Sequence, residues 1–277
     1  MIAITGVTGN LGSFVAEKLA QVGITSRHLA RSPERAKKYE SAQLVRAAYE
    51  NSEESRQALA GVDILFMVSG KEHPNRLQQH LDFIDAAKAA GVHHIIYTSF
   101  YNASETATFT LSRDHAKTEN YIKEQGFTYT FLRDNFYMDF FVELCLAYDE
   151  IRGPAGNGKV SAVLRQDVAQ VIVEILKNPS QWENQILDMT GPENLTMQEI
   201  VDLMASKLGR NIAYIRETVE EAYESRKVWP AEAWEYDSWV STYTAISVGE
   251  QEGVSSDIER VLGCPATSLS EYVKTLD

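Results

Sequence analysis

The chain has 277 residues, 44% of them hydrophobic, which is enough to bury a full α/β core and too apolar for a disordered chain. A formal net charge of −13, with no sustained basic stripe, argues against a nucleic-acid partner. The two cysteines, Cys145 and Cys264, stand at neither metal-ligand nor redox spacing, and no apolar run approaches a membrane span, so a soluble, cytoplasmic, metal-free protein is expected.

The N-terminus reads as a strand at 2–5 that runs straight into Gly6-x-x-Gly9-x-x-Gly12 and then into a helix at 13–22, with Phe14, Val15 and Leu19 at helical spacing. Gly6 lets the chain turn off the strand, Gly9 lets backbone approach a pyrophosphate, and Gly12 lets the helix pack on the sheet. With the unpaired N–H groups and positive dipole of the helix start, the segment is predicted to cradle a dinucleotide. A second strand, 26–30, ends at Arg31, where a carboxylate would accept the adenosine ribose hydroxyls. A guanidinium there pairs with a 2′-phosphate instead, so NADPH is expected in preference to NADH. Ser32 as N-cap and Pro33 in the first turn predict a helix over 33–39, whose start, with Arg35 and Lys37, would add to the anion site.

The alternation continues through strand 43–46, helix 53–60, strand 63–68, helix 75–90, strand 94–98, helix 112–125 and strand 128–132. Gly91 and Gly126 read as the glycine stops of two of these helices. Such alternation with short connections means βαβ units, hence an α/β, Rossmann-type, doubly wound parallel sheet. Ser69 and Gly70, and Thr98 and Ser99, end the fourth and fifth strands at the carboxyl edge where such sheets bind ligands. Past residue 133 the rhythm breaks: 153–158 is a loop, 167–176 a helix, and Thr196-Met197-Gln198-Glu199 a capping box opening another helix. The expected organisation is a nucleotide-binding domain over 1–150, its sheet completed by parts of 151–190, and a smaller helix-rich lobe over 191–277. The aromatic tract Tyr223, Trp229, Trp234, Tyr236, Trp239 and Tyr243 reads either as packing for that lobe or as a wall for a flat apolar substrate.

The stretches Thr5–Gly12, Leu29–Ala36, Ala86–Ser99 and Tyr129–Arg133, with the tail Ser255–Pro265, resemble the NmrA-like branch of the atypical short-chain dehydrogenases, and within it the type 2 NAD(P)H:quinone oxidoreductases and triphenylmethane reductases. The resemblance implies a Rossmann domain with a small C-terminal lobe, bound NADPH, and hydride delivery to quinones or cationic dyes. The implied cofactor set is Gly6, Thr8, Gly9, Asn10, Leu11, Gly12, Arg31, Lys37, Ser69, Gly70, Thr98 and Arg133. A quinone needs no strong acid, because its reduced phenolate can take a proton from water.

Three departures from the resemblance matter. The Tyr-x-x-x-Lys dyad of alcohol and carbonyl dehydrogenases becomes Arg113-x-x-x-Lys117, so Lys117 keeps its place and the tyrosine is lost. Where relatives have Gly-Asp-Tyr, this chain has Ala47-Ala48-Tyr49, and where they have Asn after the arginine it has Asp134. Ser99 stands where the family has its catalytic serine and His115 could donate to a reduced acceptor, though each could instead bond locally. Phe136, Tyr137 and Phe140 either line the substrate or pack in the core. The expected activity is an NADPH-dependent reductase of an aromatic or quinone-like acceptor, acting as a monomer or homodimer. A regulatory protein that senses NADP(H) without turnover is the alternative, and a sugar-nucleotide epimerase is a poorer one because it needs the absent tyrosine.

Overall fold

A computed structural model describes residues 1–276. Its strands are β1 (Ile2–Ile4), β2 (Ser26–Ala30), β3 (Ala42–Arg46), β4 (Ile64–Met67), β5 (His94–Phe100), β6 (Thr128–Asp134), β7 (Glu150–Gly153), β8 (Lys159–Val160), β9 (Gln185–Met189), β10 (Leu195–Thr196) and β11 (Ala213–Arg216). The helices are α1 (Asn10–Gln21), α2 (Glu53–Leu59), α3 (Arg76–Ala89), α4 (Thr110–Glu124), α5 (Met138–Tyr148), α6 (Arg165–Lys177), α7 (Met197–Leu208), α8 (Val219–Arg226), α9 (Ala233–Ser247), α10 (Asp257–Leu262) and α11 (Leu269–Lys274). Seven strands form one sheet in the order β3-β2-β1-β4-β5-β6-β9. The pairs β1–β2, β2–β3, β1–β4 and β4–β5 are parallel. This is the doubly wound Rossmann order, and it reverses direction between β1 and β4, the switch point where such sheets take their ligands.

Two compact units divide the chain. The first comprises Met1–Phe100, Asp114–Arg133 and Val168–Leu187, and so holds the sheet save the last residues of β6 and β9. In its centre Ala3, Ile4, Leu65, Phe66 and Met67 are fully buried, and all of β5 is buried. Strands covered on both faces need apolar residues on both, which is why β4 and β5 read as continuous runs and not as alternating ones. From α1 the buried residues are Leu11, Gly12, Val15, Ala16 and Leu19, and from α3 they include Phe83, Ile84 and Ala87, each set on one helical stripe. Gly91 (φ 82°) and Gly126 (φ 75°) lie in the left-handed region after α3 and α4, as helix-terminating glycines should.

The expected helix over 33–39 is not formed. Only a single 3-10 turn, Pro33–Arg35, follows β2, closed by the Ala36 N–H on Pro33 O at 3.0 Å, and Ala36 is already extended. Ser32 makes no side-chain cap there, and Ala36 is the only residue of 33–39 that is buried. Without an apolar stripe to bury, the turn has nothing to propagate it.

The second unit comprises Tyr101–Arg113, Asp134–Asp167 and the described residues from Asp188 onward. Two small sheets anchor it, β7 with β11 in parallel and β8 with β10 antiparallel. Capping boxes start α7 (Thr196 with Glu199), α8 (Thr218 with Glu221) and α11 (Ser268 with Glu271). Within it Arg226 and Glu217 form a buried ion pair at 3.0 Å. Of the aromatic tract only Tyr243 is buried, its ring filling the place a side chain at Gly153 would take. Trp229 is 43% exposed, and Tyr236 and Trp239 meet edge to face at 5.5 Å. Among the described residues no helix is long and apolar enough to cross a membrane.

One contact sets where α1 begins. A Cβ at Gly12 would lie 2.3 Å from the Gly6 carbonyl oxygen and 3.0 Å from that of Thr5, both rigid backbone. Gly12→Ala is therefore expected to destabilise the protein by about 1–3 kcal/mol, the cost of overpacking, read from the urea midpoint at unchanged slope.

Candidate cofactor-binding site

The turn after β1 is shaped by two glycines with different duties. Gly6 sits at φ 69°, with Val68 where its side chain would be. Gly9 is the N-cap of α1 in ordinary extended geometry (φ −101°, ψ 174°), its N–H bonded to Gly6 O at 2.8 Å. A Cβ there would make only ordinary contact, 3.4 Å from Gly6 O. Thr8, Gly9 and Asn10 are exposed, whereas Leu11 and Gly12 are buried, so Leu11 can offer a ligand its backbone and not its side chain. No side chain caps α1 and its first turn carries no acidic residue. The helix-start N–H groups therefore lack a built-in acceptor, the condition for binding a phosphate.

Arg31, immediately after β2, is exposed and has no ion pair among the described residues. Arg35 is exposed as well. Lys37 is turned elsewhere: its ammonium pairs with Glu17 of α1 at 3.1 Å and lies 5.3 Å above the Tyr39 ring.

The carboxyl ends of β1 and β4 are tied together from within. Thr5 Oγ1 accepts the Val68 N–H at 2.9 Å and meets the Tyr49 hydroxyl at 2.7 Å, and that hydroxyl also bonds the Val68 carbonyl. Ser69 N–H donates to Thr98 Oγ1 at 2.7 Å. Gly70 N–H donates to His80 Nε2 at 2.8 Å, and Arg76 Nε donates to Gly70 O at 2.9 Å. Arg76, 3% exposed, also donates to His115 Nε2 at 2.7 Å and lies 3.6 Å from Asp114. Each imidazole thus accepts at Nε2, which leaves the ring hydrogen on Nδ1, facing Thr118 Oγ1 from His80 (3.0 Å) and Tyr97 Oη from His115 (3.0 Å). Burial, helped by the Arg76 charge, holds both histidines well below the usual imidazole range, so both are neutral.

Comparison with known proteins identifies this arrangement. The model of the NmrA-like family matches residues 1–276. The chain belongs to the NmrA-like family. Quinone oxidoreductase 2 of Escherichia coli is 28% identical to it over 283 residues, covering 100% of this chain and 98% of that protein. An NAD(P)H azoreductase of Xenophilus azovorans is 28% identical over 280 residues, covering 99% and 97%. The crystal structure of the Citrobacter triphenylmethane reductase complexed with NADP(H) superposes with a TM-score of 0.87 at 29% identity, covering 99% of this chain and 98% of that one.

In this NmrA-like chain the three residues expected to do chemistry are engaged or turned away. Ser99 is 2% exposed and its hydroxyl donates to Glu119 Oε1 at 2.5 Å. Glu119 in turn takes both prongs of Arg133, at 2.8 and 2.7 Å, so Arg133, expected at the cofactor, is anchored to α4. His115 is neutral, with its Nε2 lone pair taken by Arg76, and so has no proton to give there. Lys117 is exposed while His115, Thr118, Glu119 and Ile122 of the same helix are buried, which puts it on the other face from the buried network. Glu119, Arg76 and His80 were not expected from the sequence. Their signal was available: they occupy helical positions that share a stripe with Ile122 in α4 and with Phe83, Ile84 and Ala87 in α3, where an apolar residue is the rule.

In the second unit Phe136 is core, packed edge to face on Phe109 at 5.1 Å, and Phe140 is partly exposed beside Phe141. Asp134 is 3% exposed. The Tyr137 hydroxyl donates to its Oδ2 at 2.6 Å, and Oδ1 has no hydrogen-bond partner among the described residues. Burial pushes this carboxyl up to about 7, against the opposing pull of the Tyr137 bond. Because the folded value lies above the unfolded one of about 3.9, the native state holds the proton more tightly. That contribution is complete below pH ~4 and is lost as pH rises through about 7. Wild type should therefore lose stability relative to Asp134→Asn between pH 4 and pH 8, as read by urea unfolding of both proteins at each pH.

Proposed function

We propose that the protein is an NADPH-dependent reductase that passes hydride to a quinone-like or other flat aromatic acceptor. The observation that carries this reading is the pairing of an open, uncapped helix start behind Gly9 with an exposed, unpaired Arg31 at the end of β2. The first fits a pyrophosphate and the second a 2′-phosphate. The names of the relatives support the acceptor class, since they include a quinone oxidoreductase, an azoreductase and a dye reductase.

In this reading Thr8, Gly9 and Asn10, with the backbone of Leu11, surround the pyrophosphate, Gly12 seats the helix that faces it, and Arg31 takes the 2′-phosphate. Ser69, Gly70 and Thr98 border the other half at the strand ends. The bound dihydronicotinamide supplies the hydride. The chain's part is to bind and orient, because Ser99 already donates to Glu119 and His115 is neutral with its acceptor nitrogen filled. Acceptors whose reduced oxygen or nitrogen takes its proton from water suit such a site. Carbonyl substrates, which need a positioned acid, do not.

The direct test is to follow NADPH absorbance with a panel of quinones and azo or triphenylmethane dyes. Turnover supports the reductase, whereas tight NADPH binding without oxidation by any acceptor would favour a cofactor sensor. Gly9→Val should keep native circular dichroism, because the backbone geometry suits valine and the site is open, yet abolish NADPH binding by filling the space of the pyrophosphate. Binding retained in the folded variant would exclude the cradle. Arg31→Ala should remove a charge-assisted contact of about 1.5–3 kcal/mol and bring the NADPH and NADH dissociation constants together. An unchanged ratio would exclude Arg31 as the phosphate ligand.

A further inference from the structure

The loop that leaves β4 is held unusually fully by side chains. Three of the four backbone polar groups of Ser69 and Gly70 are bonded inward: Ser69 N–H to Thr98 Oγ1, Gly70 N–H to His80 Nε2, and Gly70 C=O to Arg76 Nε, at 2.7, 2.8 and 2.9 Å. Two of the three partners come from the first turn and a half of α3, one helical turn apart, so one helix face grips both polar groups of the glycine. Gly70 itself is set by the grip. A side chain there would stand 3.2 Å from His80 Nε2 and 3.5 Å from the Tyr49 ring.

A buried arginine and a fully buried histidine are a poor way to fill a core. Both need desolvation, and apolar residues of similar size would pack there at lower cost. What they supply is directionality. Arg76 can only donate, so its bond fixes His115 as an acceptor at Nε2. At His80 the hydrogen sits on Nδ1, facing Thr118, which leaves Nε2 with the one polarity that can take an amide N–H. Thr118 completes the arrangement by accepting from the other ring nitrogen and passing its own hydroxyl hydrogen to Asp114 O at 2.7 Å.

We propose that His80, oriented by Thr118 and working beside Arg76 on the same glycine, is a positioning residue for the nicotinamide half of the cofactor site, acting by holding the Ser69–Gly70 peptide in its binding shape. This rests on the reading of the site as a dinucleotide cradle. A doubly wound sheet is two mononucleotide-binding halves: β1 to β3 serve the adenosine side, and β4 to β6 serve the other. His80 acts only on the second half, through the loop after β4. Arg31 and the start of α1 belong to the first. Holding the loop beforehand removes an ordering cost that would otherwise be met on binding.

The halves make the test. In the full-length protein, dissociation constants are measured for NADPH by its fluorescence and for 2′,5′-ADP by calorimetry, alongside thermal melting. His80→Leu, which removes the acceptor, should weaken NADPH tenfold or more and leave 2′,5′-ADP within twofold. His80→Gln, whose amide oxygen can accept the Gly70 N–H, should recover most of the loss, and Gly70→Ala, which displaces the imidazole, should resemble His80→Leu. Equal NADPH affinity in all variants, parallel loss of both ligands, or losses that follow melting temperature with no recovery in His80→Gln would each overturn the proposal. Failure of the wild type to bind either ligand would instead overturn the cradle reading beneath it.

Discussion

The rest of the site depends on how closely α1 can approach the end of β1. The missing side chain at Gly12 lets the helix come down on the carbonyls of Thr5 and Gly6, and the left-handed turn at Gly6 brings the chain round within the five residues between β1 and α1. That contact fixes the direction in which the first N–H groups of α1 point and leaves Thr8, Gly9 and Asn10 in the open. A helix start set back by one side chain would keep its dipole and lose its aim. In the proposed reading, anion binding here is thus a packing property before it is an electrostatic one.

The same edge of the sheet is stiffened by polar side chains that face inward. Tyr49 and Thr5 join the ends of β1 and β4, while Arg76, His80 and Thr98 fasten the loop after β4. Farther along, Glu119 collects Ser99 and Arg133 into one buried, bidentate cluster. Every partner in these clusters is used up by another, so the groups that carry charge and hydrogen-bonding power serve geometry. This suits the proposed reading, in which the cofactor carries the chemistry: the chain's polar residues then need to hold backbone in place, and a proton donor among them is not required.

Tyr49 shows a half-buried polar group with every bond it needs. At the end of the stretch Ala47-Ala48-Tyr49 the tyrosine stacks on Phe83 at 4.7 Å and bonds Thr5 and the Val68 carbonyl, so the brace between the strand ends is made by the phenol alone. Asp134 is different. Its Oδ1 has no hydrogen-bond partner among the described residues and the single Tyr137 bond does not offset burial, so the native state holds its proton more tightly.

What could be read from the sequence is what local chemistry decides. The glycine triplet, the alternation of strands and helices, the stops at Gly91 and Gly126 and the cap at Thr196 all follow from backbone sterics and short-range bonding, and all are present. The segment 33–39 was misread because Ser32-Pro33 offers a helix start, but only burial of an apolar stripe can extend one, and that depends on what lies beneath. Ser99, His115, Lys117 and Lys37 carry the residue types of a reactive site. Tertiary packing gives each a setting the sequence does not show, with Glu119 beside Ser99, Arg76 beside His115, Glu17 beside Lys37 and solvent around Lys117. A side chain's reactivity depends on its partners, and those partners lie up to 39 residues away in the chain, beyond the reach of any local pattern.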